Sequence, residues 1–550
     1  MEDNNFYLTF TDDNRSPYEN EVVLWAEDGS WNDFGYRINC ICRLINPSDG
    51  KPFEVRMLVG FFEPRSSLSD ERVKKVNYKA TSLMDMLPLI RTLESEGKLE
   101  KLGFFTMLPD MQSYRTAVSS LGPEVLEQVL SITNDIVLYK DKKNDWLEHA
   151  MSTEVFRLGF MRNSEAFFAF SNADSVLGGV EEERFGGISQ RLALKYKLDG
   201  FENEHEIELN YGTSTYIPKR INILIGKNGV GKSQALKSFC RAALRYSDKS
   251  ISLTTGDGDG RPLINRLLAI ATPGETQNTF PSERRQTQKL YYRRLSLTRN
   301  SRAKATKSIS EMLVQLARSE DYIGGLERWE LFIDSVSKVM STENIVLQTT
   351  GRKTVRLVNL VRGGEQARLE KWASIDRNSE PKVNMDGELY SMSSGQLTFF
   401  KFAVLCCLYI ENGSFVLLDE PETHMHPNMI SDFVELLDSL LENTGSQALI
   451  ATHSAYFVRE VTQDQVHVLK KDFFSNSISI VNPRLVTFGA PVDSISRFIF
   501  DDDAESRLSE KLYHQVLDSD KSFEEICRDF GEEISIAALM KLRRKMDSTL

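Results

Sequence analysis

A glycine-rich segment with the spacing of a phosphate-binding loop lies near the middle of the chain. Residues 226–233 read Gly-Lys-Asn-Gly-Val-Gly-Lys-Ser, which matches the full pattern of such a loop. Its glycines let backbone N–H groups surround a β-phosphate, Lys232 can reach the β- and γ-phosphates, and Ser233 can hold Mg²⁺. We therefore predict that a nucleoside triphosphate with Mg²⁺ is bound by Gly226, Lys227, Asn228, Gly229, Val230, Gly231, Lys232, Ser233 and Gln234.

A second group of candidate residues ends an apolar run. Phe-Val-Leu-Leu at 415–418 is followed directly by Asp419 and Glu420. Successive side chains of a strand point to opposite faces, so the two carboxylates cannot do the same task. Asp419 suits the Mg²⁺ held by Ser233, as a direct or a second-sphere partner. Glu420 suits the group that polarises an attacking water. A strand that runs into a solvated acidic turn is the alternative.

The elements that must position these residues are also indicated. The apolar run Ile221–Ile225 predicts a buried strand before the loop, and the spacing of residues 233–245 predicts a helix after it. The first 65 residues alternate or run apolar as strands do, and the next hundred have helical spacing. A chance glycine turn is the alternative for residues 226–233, and the strand–loop–helix context argues against it.

Three further segments resemble motifs of the ABC ATPases. Residues 391–396, Ser-Met-Ser-Ser-Gly-Gln, are similar to the signature Leu-Ser-Gly-Gly-Gln, with methionine for leucine and serine for the first glycine. Residues 421–427, Pro-Glu-Thr-His-Met-His-Pro, resemble the segment after the acidic pair in RecF-like and OLD-like members. Residues 451–454, Ala-Thr-His-Ser, resemble the switch-histidine segment. The motifs follow one another in the family's order.

The resemblance implies a mechanism in which two heads of a homodimer or higher oligomer enclose two ATP molecules and their Mg²⁺. Glu420 and His453 are then the catalytic residues. The signature of one subunit would contact the γ-phosphate held by the other through Ser393, Ser394, Gly395 and Gln396. Taken alone, Ser393 could equally be an ordinary helix N-cap, and His453 a histidine bonded in a turn. His424 and His426 could form a metal pair or a structural turn. The glutamine that senses Mg²⁺ in the family has three candidates, Gln277, Gln286 and Gln288.

The expected fold is α/β: an ABC-type P-loop ATPase head, with a mixed sheet flanked by helices, that carries additional regions. We expect an N-terminal α+β extension, strands then helices, at 1–190, and the first half of the head at 191–280. A helical insertion or arm with a basic stretch follows at 281–385. The second half of the head, with the signature, is expected at 386–480, and a helical C-terminal region that could dock a partner at 481–550.

Within the family, the chain most resembles the PtuA-like ATPases of Septu and retron anti-phage defence. The region between loop and signature lacks the heptads of Rad50 and SMC coiled coils, and the Asp-Asp-Asp run at 501–503 is interpreted as a solvated face rather than a nuclease site. The resemblance implies an HNH nuclease of the PtuB type as a separate partner, with a reverse transcriptase and RNA-linked DNA in retrons. A RecF-like repair ATPase that binds DNA without an effector is the alternative, and a nucleotide-gated scaffold with negligible turnover a third.

A basic stretch could contact nucleic acid. Nine lysines and arginines lie between 284 and 307, with two tyrosines among them. Such a stretch could follow a phosphate backbone and stack a base. The candidate residues are Arg284, Arg285, Lys289, Arg293 and Arg294. Because the net charge is −12, the alternative is an arm that pairs with the protein's own acidic surface.

Composition sets the broad class of the 550-residue chain. Apolar residues make up 41% and charged residues 27%, which is typical of a globular protein of several domains and excludes a fibrous or mostly disordered chain. The net negative charge excludes a uniformly basic nucleic-acid coat. Six scattered cysteines indicate reduced thiols rather than a disulfide framework. No signal peptide and no long apolar run is present. We therefore expect a cytoplasmic protein that does not enter a membrane.

Overall fold

The computed structural model describes residues 6–549 with gaps. The gaps are 27–35, 64–71, 73–75, 77, 79–81, 141–144, 181–188, 199, 202, 213–215, 218, 246–249, 257–259, 272–278, 284–289, 298–306, 320, 324, 424, 473–476, 501–506, 518–521 and 532. Several residues singled out from the sequence lie outside the described part: Arg284, Arg285, Lys289, Gln277, Gln286, Gln288, His424 and the acidic run 501–503.

The strands are numbered in chain order. They are β1 Tyr7–Thr11, β2 Glu21–Trp25, β3 Asn39–Ile45, β4 Pro52–Phe62, β5 Gly103–Met107, β6 Arg191–Lys197, β7 Glu204–Asn210, β8 Ile221–Ile225, β9 Ser252–Thr255, β10 Arg266–Ala271, β11 Tyr291–Ser296, β12 Tyr322–Ile323, β13 Leu326–Glu327, β14 Ile345–Gln348, β15 Thr354–Arg356, β16 Lys382–Met385, β17 Glu388–Ser391, β18 Phe415–Asp419, β19 Gln447–Thr452, β20 Val466–Asp472 and β21 Ser477–Val481.

The α-helices are numbered in the same way. They are α1 Leu83–Ser95, α2 Met111–Leu121, α3 Pro123–Ile132, α4 Ile136–Tyr139, α5 Asp145–Ser152, α6 Ser164–Asn172, α7 Lys232–Ala243, α8 Ile309–Ala317, α9 Arg328–Ser337, α10 Glu365–Ser374, α11 Ser394–Tyr409, α12 Asn428–Asn443, α13 Ala455–Val458, α14 Val492–Phe500, α15 Arg507–Leu517, α16 Phe523–Phe530 and α17 Ile536–Thr549. A π-helical turn spans Val155–Gly159, and short 3₁₀ turns join several of these elements.

The N-terminal lobe is built on a five-stranded sheet in the order β1-β2-β3-β4-β5. Strands β1 and β2 are parallel, and the other neighbours are antiparallel. Helices α1–α6 cover this sheet and share one apolar core with it. Strand β5 lies in a region whose spacing predicted helices. All five of its residues are buried, and periodicity cannot separate a short, fully buried apolar run from a helical segment.

The region expected to be the head is built on a seven-stranded sheet in the order β11-β10-β18-β19-β8-β20-β21. Its neighbours are all parallel except β20 and β21. Apolar clusters cover both faces, as a parallel sheet requires. The three central strands β18, β19 and β8 are adjacent, with Asp419 beside Ala451 and Thr452 beside Ile225. The loops that follow these strands therefore leave the sheet at one edge. A three-stranded antiparallel sheet, β7-β6-β9, packs on the helix after the phosphate loop.

The expectation of a helical arm that begins at residue 281 needs correction. Arg293 and Arg294 lie in β11, which pairs in parallel with β10 as an edge strand of the large sheet. Tyr292 and Leu295 are buried in the strand, and the charged residues beside them obscure its alternation in the sequence. The region after 296 is also not purely helical. Together with α8–α10 it contains the antiparallel sheet β15-β14-β16-β17, whose strands are only three or four residues long.

The C-terminal region is helical. Helix α14 packs Ile495 and Ile499 into the core of the head. Helices α15–α17 enclose a small cluster of their own, formed by Tyr513, Val516, Ile526 and Leu542. Among the helices in the described ranges, none combines the length and the apolar composition needed to cross a lipid bilayer.

Candidate nucleotide site

The phosphate loop joins the central strand β8 to α7, as the sequence predicts. Gly231 occupies the N-cap position of α7 with φ of +94°, a left-handed conformation that favours glycine. A Cβ atom on Gly226 would lie 2.6 Å from the backbone oxygen of Leu469. These two glycines are therefore required by the path of the loop. The loop presents the N-terminus of α7, where free N–H groups and the helix dipole favour an anion.

Lys232 is folded back over this loop. Its Nζ donates to the carbonyl oxygens of Gly226 at 3.0 Å and Lys227 at 3.3 Å, and the residue is 5% exposed. Burial lowers the pKa of Lys232, while the carboxylates of Glu420, Glu422 and Asp419 act in the opposite direction. The ammonium group thus lies between the loop and an acidic group of side chains.

Asp419 connects the acidic strand end to the loop. Ser233 Oγ donates to one of its carboxylate oxygens at 3.0 Å, and Thr279 Oγ1 donates to the other at 2.8 Å. Burial raises the pKa of Asp419 to about 6, and the hydrogen bonds from Thr279 and Ser233 oppose that shift. Ser233 and Asp419 supply the oxygen ligands that Mg²⁺ prefers, so these residues fit the metal. Thr279 was not found from the sequence, because it follows no motif.

Glu420 lies just beyond the end of β18 in an unusual backbone conformation. Its φ is +48°, and its N–H donates to the carbonyl of Ala451 at 2.9 Å. Thr423 donates to the carbonyl of Glu420 from both its N–H and its hydroxyl. Non-glycine residues held in this region cost of order 1–3 kcal/mol and are concentrated at functional sites. The Glu420 side chain is 34% exposed, so water can reach it.

His453 and Glu422 form a pair next to Glu420. His453 follows β19, and its Nδ1 lies 3.1 Å from Glu422 Oε1 and 3.9 Å from Glu420 Oε1. Glu422 is 8% exposed and also accepts from Thr452 Oγ1 at 2.5 Å and from the backbone N–H of His453 at 3.0 Å. The sequence did not single out Glu422. Its position two residues after Glu420, within the motif-like segment 421–427, was the available signal.

The signature segment begins a long buried helix. Ser393 is the N-cap of α11, and its Oγ accepts from Gln396 N–H, whose side chain accepts in turn from Ser393 N–H. Ser393, Ser394 and Gln396 are exposed, while Gly395 is buried. Ser393 is thus a helix N-cap, and the exposed helix start also leaves free N–H groups toward solvent. A second molecule could approach this surface.

The described basic residues bond within the protein itself. Arg293 forms an ion pair with Glu283 at 3.3 Å and lies over the rings of Tyr291 and Tyr409. Arg294 donates its backbone N–H to Glu283 and a guanidinium N–H to the Phe280 carbonyl. These contacts favour the interpretation of a stretch that pairs with its own acidic surface.

His426 serves the turn that leads into α12. Its Nδ1 accepts from the backbone N–H of Asn428 at 3.3 Å, and the residue is exposed. Within the part of the chain that the structure covers, no three histidine, cysteine or acidic residues are grouped as metal ligands. The hydrogen bond from Asn428 supports the interpretation of His426 as part of a structural turn.

Comparison with known protein families agrees with this geometry. A family model described as an AAA domain, putative AbiEii toxin of a type IV toxin–antitoxin system, matches residues 375–459, which hold the signature, the acidic strand and the switch histidine. The strand–loop–helix at residues 221–243 and the acidic end of β18 beside it are arranged as in a P-loop ATPase fold. This chain is also 24% identical over 456 residues to the protein ea59 of Escherichia phage lambda, a match that covers 78% of this chain and 82% of the phage protein.

Solved structures similar to this chain include SMC heads and a transporter cassette. An SMC head bound to the C-terminal winged-helix domain of ScpA is 11% identical, with a TM-score of 0.29, over 54% of this chain and 98% of that one. The SMC head of Thermotoga maritima is 14% identical, with a TM-score of 0.25, over 54% and 100%. An ATP-binding cassette of an ABC transporter in its ADP conformation is 13% identical, with a TM-score of 0.27, over 57% and 96%.

Proposed function

We propose that the protein hydrolyses ATP with Mg²⁺ between two copies of its head. The observation that carries the proposal is the meeting of four elements at one edge of the sheet: the phosphate loop, the Ser233–Asp419 pair, Glu420 and His453. Lys232 and α7 would hold the phosphates, Asp419 and Ser233 the metal, and Glu420 the attacking water. The exposed start of α11 would complete the site of the other copy through residues 393–396.

Glu420→Gln tests the catalytic assignment. The amide keeps the shape of the side chain but cannot polarise water as a carboxylate does, so we expect kcat to fall by about 10²–10⁴-fold while ATP still binds. The variant should accumulate as an ATP-bound dimer in sedimentation velocity. Full turnover in Glu420→Gln would show that the water is activated elsewhere. Glu435→Gln, an exposed carboxylate of α12, is the matched control and should behave as the parent protein.

We further propose that this ATPase regulates a separate HNH nuclease of the PtuB type in an anti-phage defence complex of the Septu or retron kind. Reverse transcriptase and RNA-linked DNA would be its other partners in a retron, and the complex would act in the cytoplasm. The description of the matching family model, a toxin of a toxin–antitoxin system, supports a setting in defence. The resemblance to PtuA-like ATPases is the reason for proposing an HNH nuclease of the PtuB type as the partner.

A RecF-like repair ATPase remains the second candidate, because the segment after Glu420 resembles RecF-like members too. Purification of the tagged full-length protein from its native cells separates the two functions. A co-purified HNH protein or RNA-linked DNA supports defence, whereas a sliding clamp or gapped DNA supports repair.

Nucleic-acid contact through Arg293 and Arg294 is tested by reversing both charges. Binding that stays unchanged across a salt titration would place the contact elsewhere.

A further inference from the structure

Glu422 is a buried carboxylate that no step of the proposed hydrolysis uses. One of its oxygens, Oε1, is approached by three nitrogen or oxygen atoms from the last residue of β19 and the residue after it: Thr452 Oγ1 at 2.5 Å, His453 N at 3.0 Å and His453 Nδ1 at 3.1 Å. The other oxygen, Oε2, is buried and has no hydrogen-bond partner among the described atoms. A buried carboxylate is costly unless its bonds compensate for lost solvation. All the compensation that the structure shows comes from the segment that carries His453.

The contacts hold His453 at two points, its backbone N–H and its ring. With Nδ1 directed at Glu422, the ring nitrogen Nε2 is left on the far side of the imidazole. The His453 side chain is 49% exposed, whereas that of Glu422 is 7% exposed. The ring is thus held through Nδ1 by a buried carboxylate, while half of the side chain stays open to solvent. Carboxylates commonly fix the orientation and the tautomer of functional histidines in this way.

We propose that Glu422 is the positioning residue for His453. Its carboxylate accepts from Nδ1–H and so presents Nε2 to the phosphate side of the site. Thr452 holds the carboxylate, because its hydroxyl donates to the same oxygen. This inference rests on the proposed function, in which His453 acts on the bound ATP. The turn that begins at Glu420 then carries two carboxylates with different tasks. Glu420 polarises the attacking water, and Glu422 orients the switch histidine.

The test is a set of single and double variants of the full-length protein, assayed for kcat, KM and ATP binding. Glu422→Ala removes the acceptor, and we expect kcat to fall about tenfold or more, the size seen when the partner of a functional histidine is lost. ATP binding should change far less than kcat, because the hydrogen bonds of Glu422 go to Thr452 and His453 and it acts on Lys232 of the phosphate loop only through its charge. Glu422→Gln keeps an acceptor oxygen and should recover most of the lost turnover. Glu435→Ala on the exposed face of α12 is the matched control.

The decisive comparison is made in a His453→Ala background. If Glu422 acts through His453, Glu422→Ala causes no further loss there, and the two effects are fully non-additive. Losses that multiply would overturn the proposal, as would full turnover of Glu422→Ala beside an impaired His453→Ala. A His453→Ala protein with normal turnover would instead contradict the proposed function itself. Should Glu422→Ala fail to fold, Thr452→Val carries the same test, with a loss of a few-fold only when His453 is present.

Discussion

At the scale of single residues, the site depends on residues whose backbone conformation or burial is unfavourable in itself. Glu420 has a positive φ and Asp419 has a pKa raised by burial to about 6. Lys232 lies beside both and bonds to carbonyls of its own loop. Such groups persist only because neighbouring strands and hydrogen bonds hold them. A bound triphosphate would add a strong anion to the carboxylates and carbonyl oxygens that already surround Lys232.

Lys232→Ala should therefore weaken ATP binding strongly. The buried ammonium is the cation nearest the expected β- and γ-phosphates, and charged hydrogen bonds of this kind contribute about 1.5–3 kcal/mol, so affinity should fall about 10- to 100-fold or more. Fluorescence titration with a labelled ATP analogue measures this loss. Lys237→Ala is the matched control, since Lys237 is an exposed lysine of α7 outside the phosphate loop. An equal loss for both variants would contradict the separate role of Lys232.

The sequence predicted the residues with fixed motif spacing and missed those that only the fold brings in. Lys232, Ser233, Asp419 and Glu420 meet as expected because parallel strands deliver their carboxyl ends to one edge. Thr279 follows no motif, and Glu422 lies in the motif-like segment 421–427 but was given no role there. A hydrogen bond between residues 140 positions apart, as between Thr279 and Asp419, depends on strand order, which the residue pattern does not contain.

At the scale of elements, α11 links the signature to the core of the head. Its sixteen residues run from the exposed Ser394 to Tyr409, and eleven of them are buried. The helix start is therefore rigidly placed while its first turn stays open to solvent. This arrangement suits a surface that must meet the phosphates of another copy without a change in its own fold.

Ser394→Trp should block closure of the dimer and leave each head able to bind ATP. The indole would occupy the space above the helix start that a second phosphate loop must enter. Because Ser394 is exposed and its side chain caps nothing, the fold should be unaffected. Sedimentation velocity of the Glu420→Gln protein with and without Ser394→Trp measures closure. Equal dimer formation by the two proteins would contradict the ATP-enclosed dimer.

Helix α4 in the N-terminal lobe begins at a fully buried carboxylate, Asp135. Its Oδ1 accepts from the N–H groups of Val137 and Leu138, and Tyr114 donates to both oxygens. Burial raises the pKa of Asp135 to about 7, although these hydrogen bonds lower it. Between the ordinary pKa of aspartate, about 4, and 7, the folded state then binds more protons than the unfolded state. This group therefore makes the protein less stable as pH rises through that window.

Asp135→Asn should remove that contribution. The amide keeps an acceptor oxygen for the helix start and does not ionise, so the variant should lose less stability than the parent between pH 4 and 7. Denaturant unfolding at several pH values measures the difference between the two proteins. Since the parent's other groups titrate equally in both, a difference that stays constant over this window would show that Asp135 is already ionised in the folded state.

The sequence placed strands and helices correctly where the spacing of apolar residues was regular. The strand before the phosphate loop and the helix after it lie where the spacing placed them. Strands β5 and β11 were missed for opposite reasons. The first is buried at every position and the second carries two arginines, so neither shows the alternation by which a half-buried strand is recognised.

At the scale of the whole molecule, one buried carboxylate joins three regions. Glu411 follows α11, and its oxygens lie 2.9 Å from Arg115 Nη1 in the N-terminal lobe and 3.4 Å from Arg328 Nη2 in the insertion. Burial alone would raise the pKa of Glu411, but Arg115, Arg266 and Arg328 hold it at about 2. The lobe, the insertion and the far end of the signature helix are thus tied to a single charge.

Glu411→Gln should loosen that junction. It removes the carboxylate shared by Arg115 and Arg328, although Arg328 keeps its ion pair with Asp321. Removal of one partner of a buried ion pair costs about 3–5 kcal/mol. Glu21→Gln is the matched control, because the buried Glu21 also has a pKa of about 2 but pairs with Arg15 inside the N-terminal lobe. Hydrogen–deuterium exchange should rise in α2, α9 and the end of α11 for Glu411→Gln, and only around β1 and β2 for Glu21→Gln. If exchange in Glu411→Gln rose only at the end of α11, and not in α2 or α9, Glu411 would be a local contact rather than a junction of three regions.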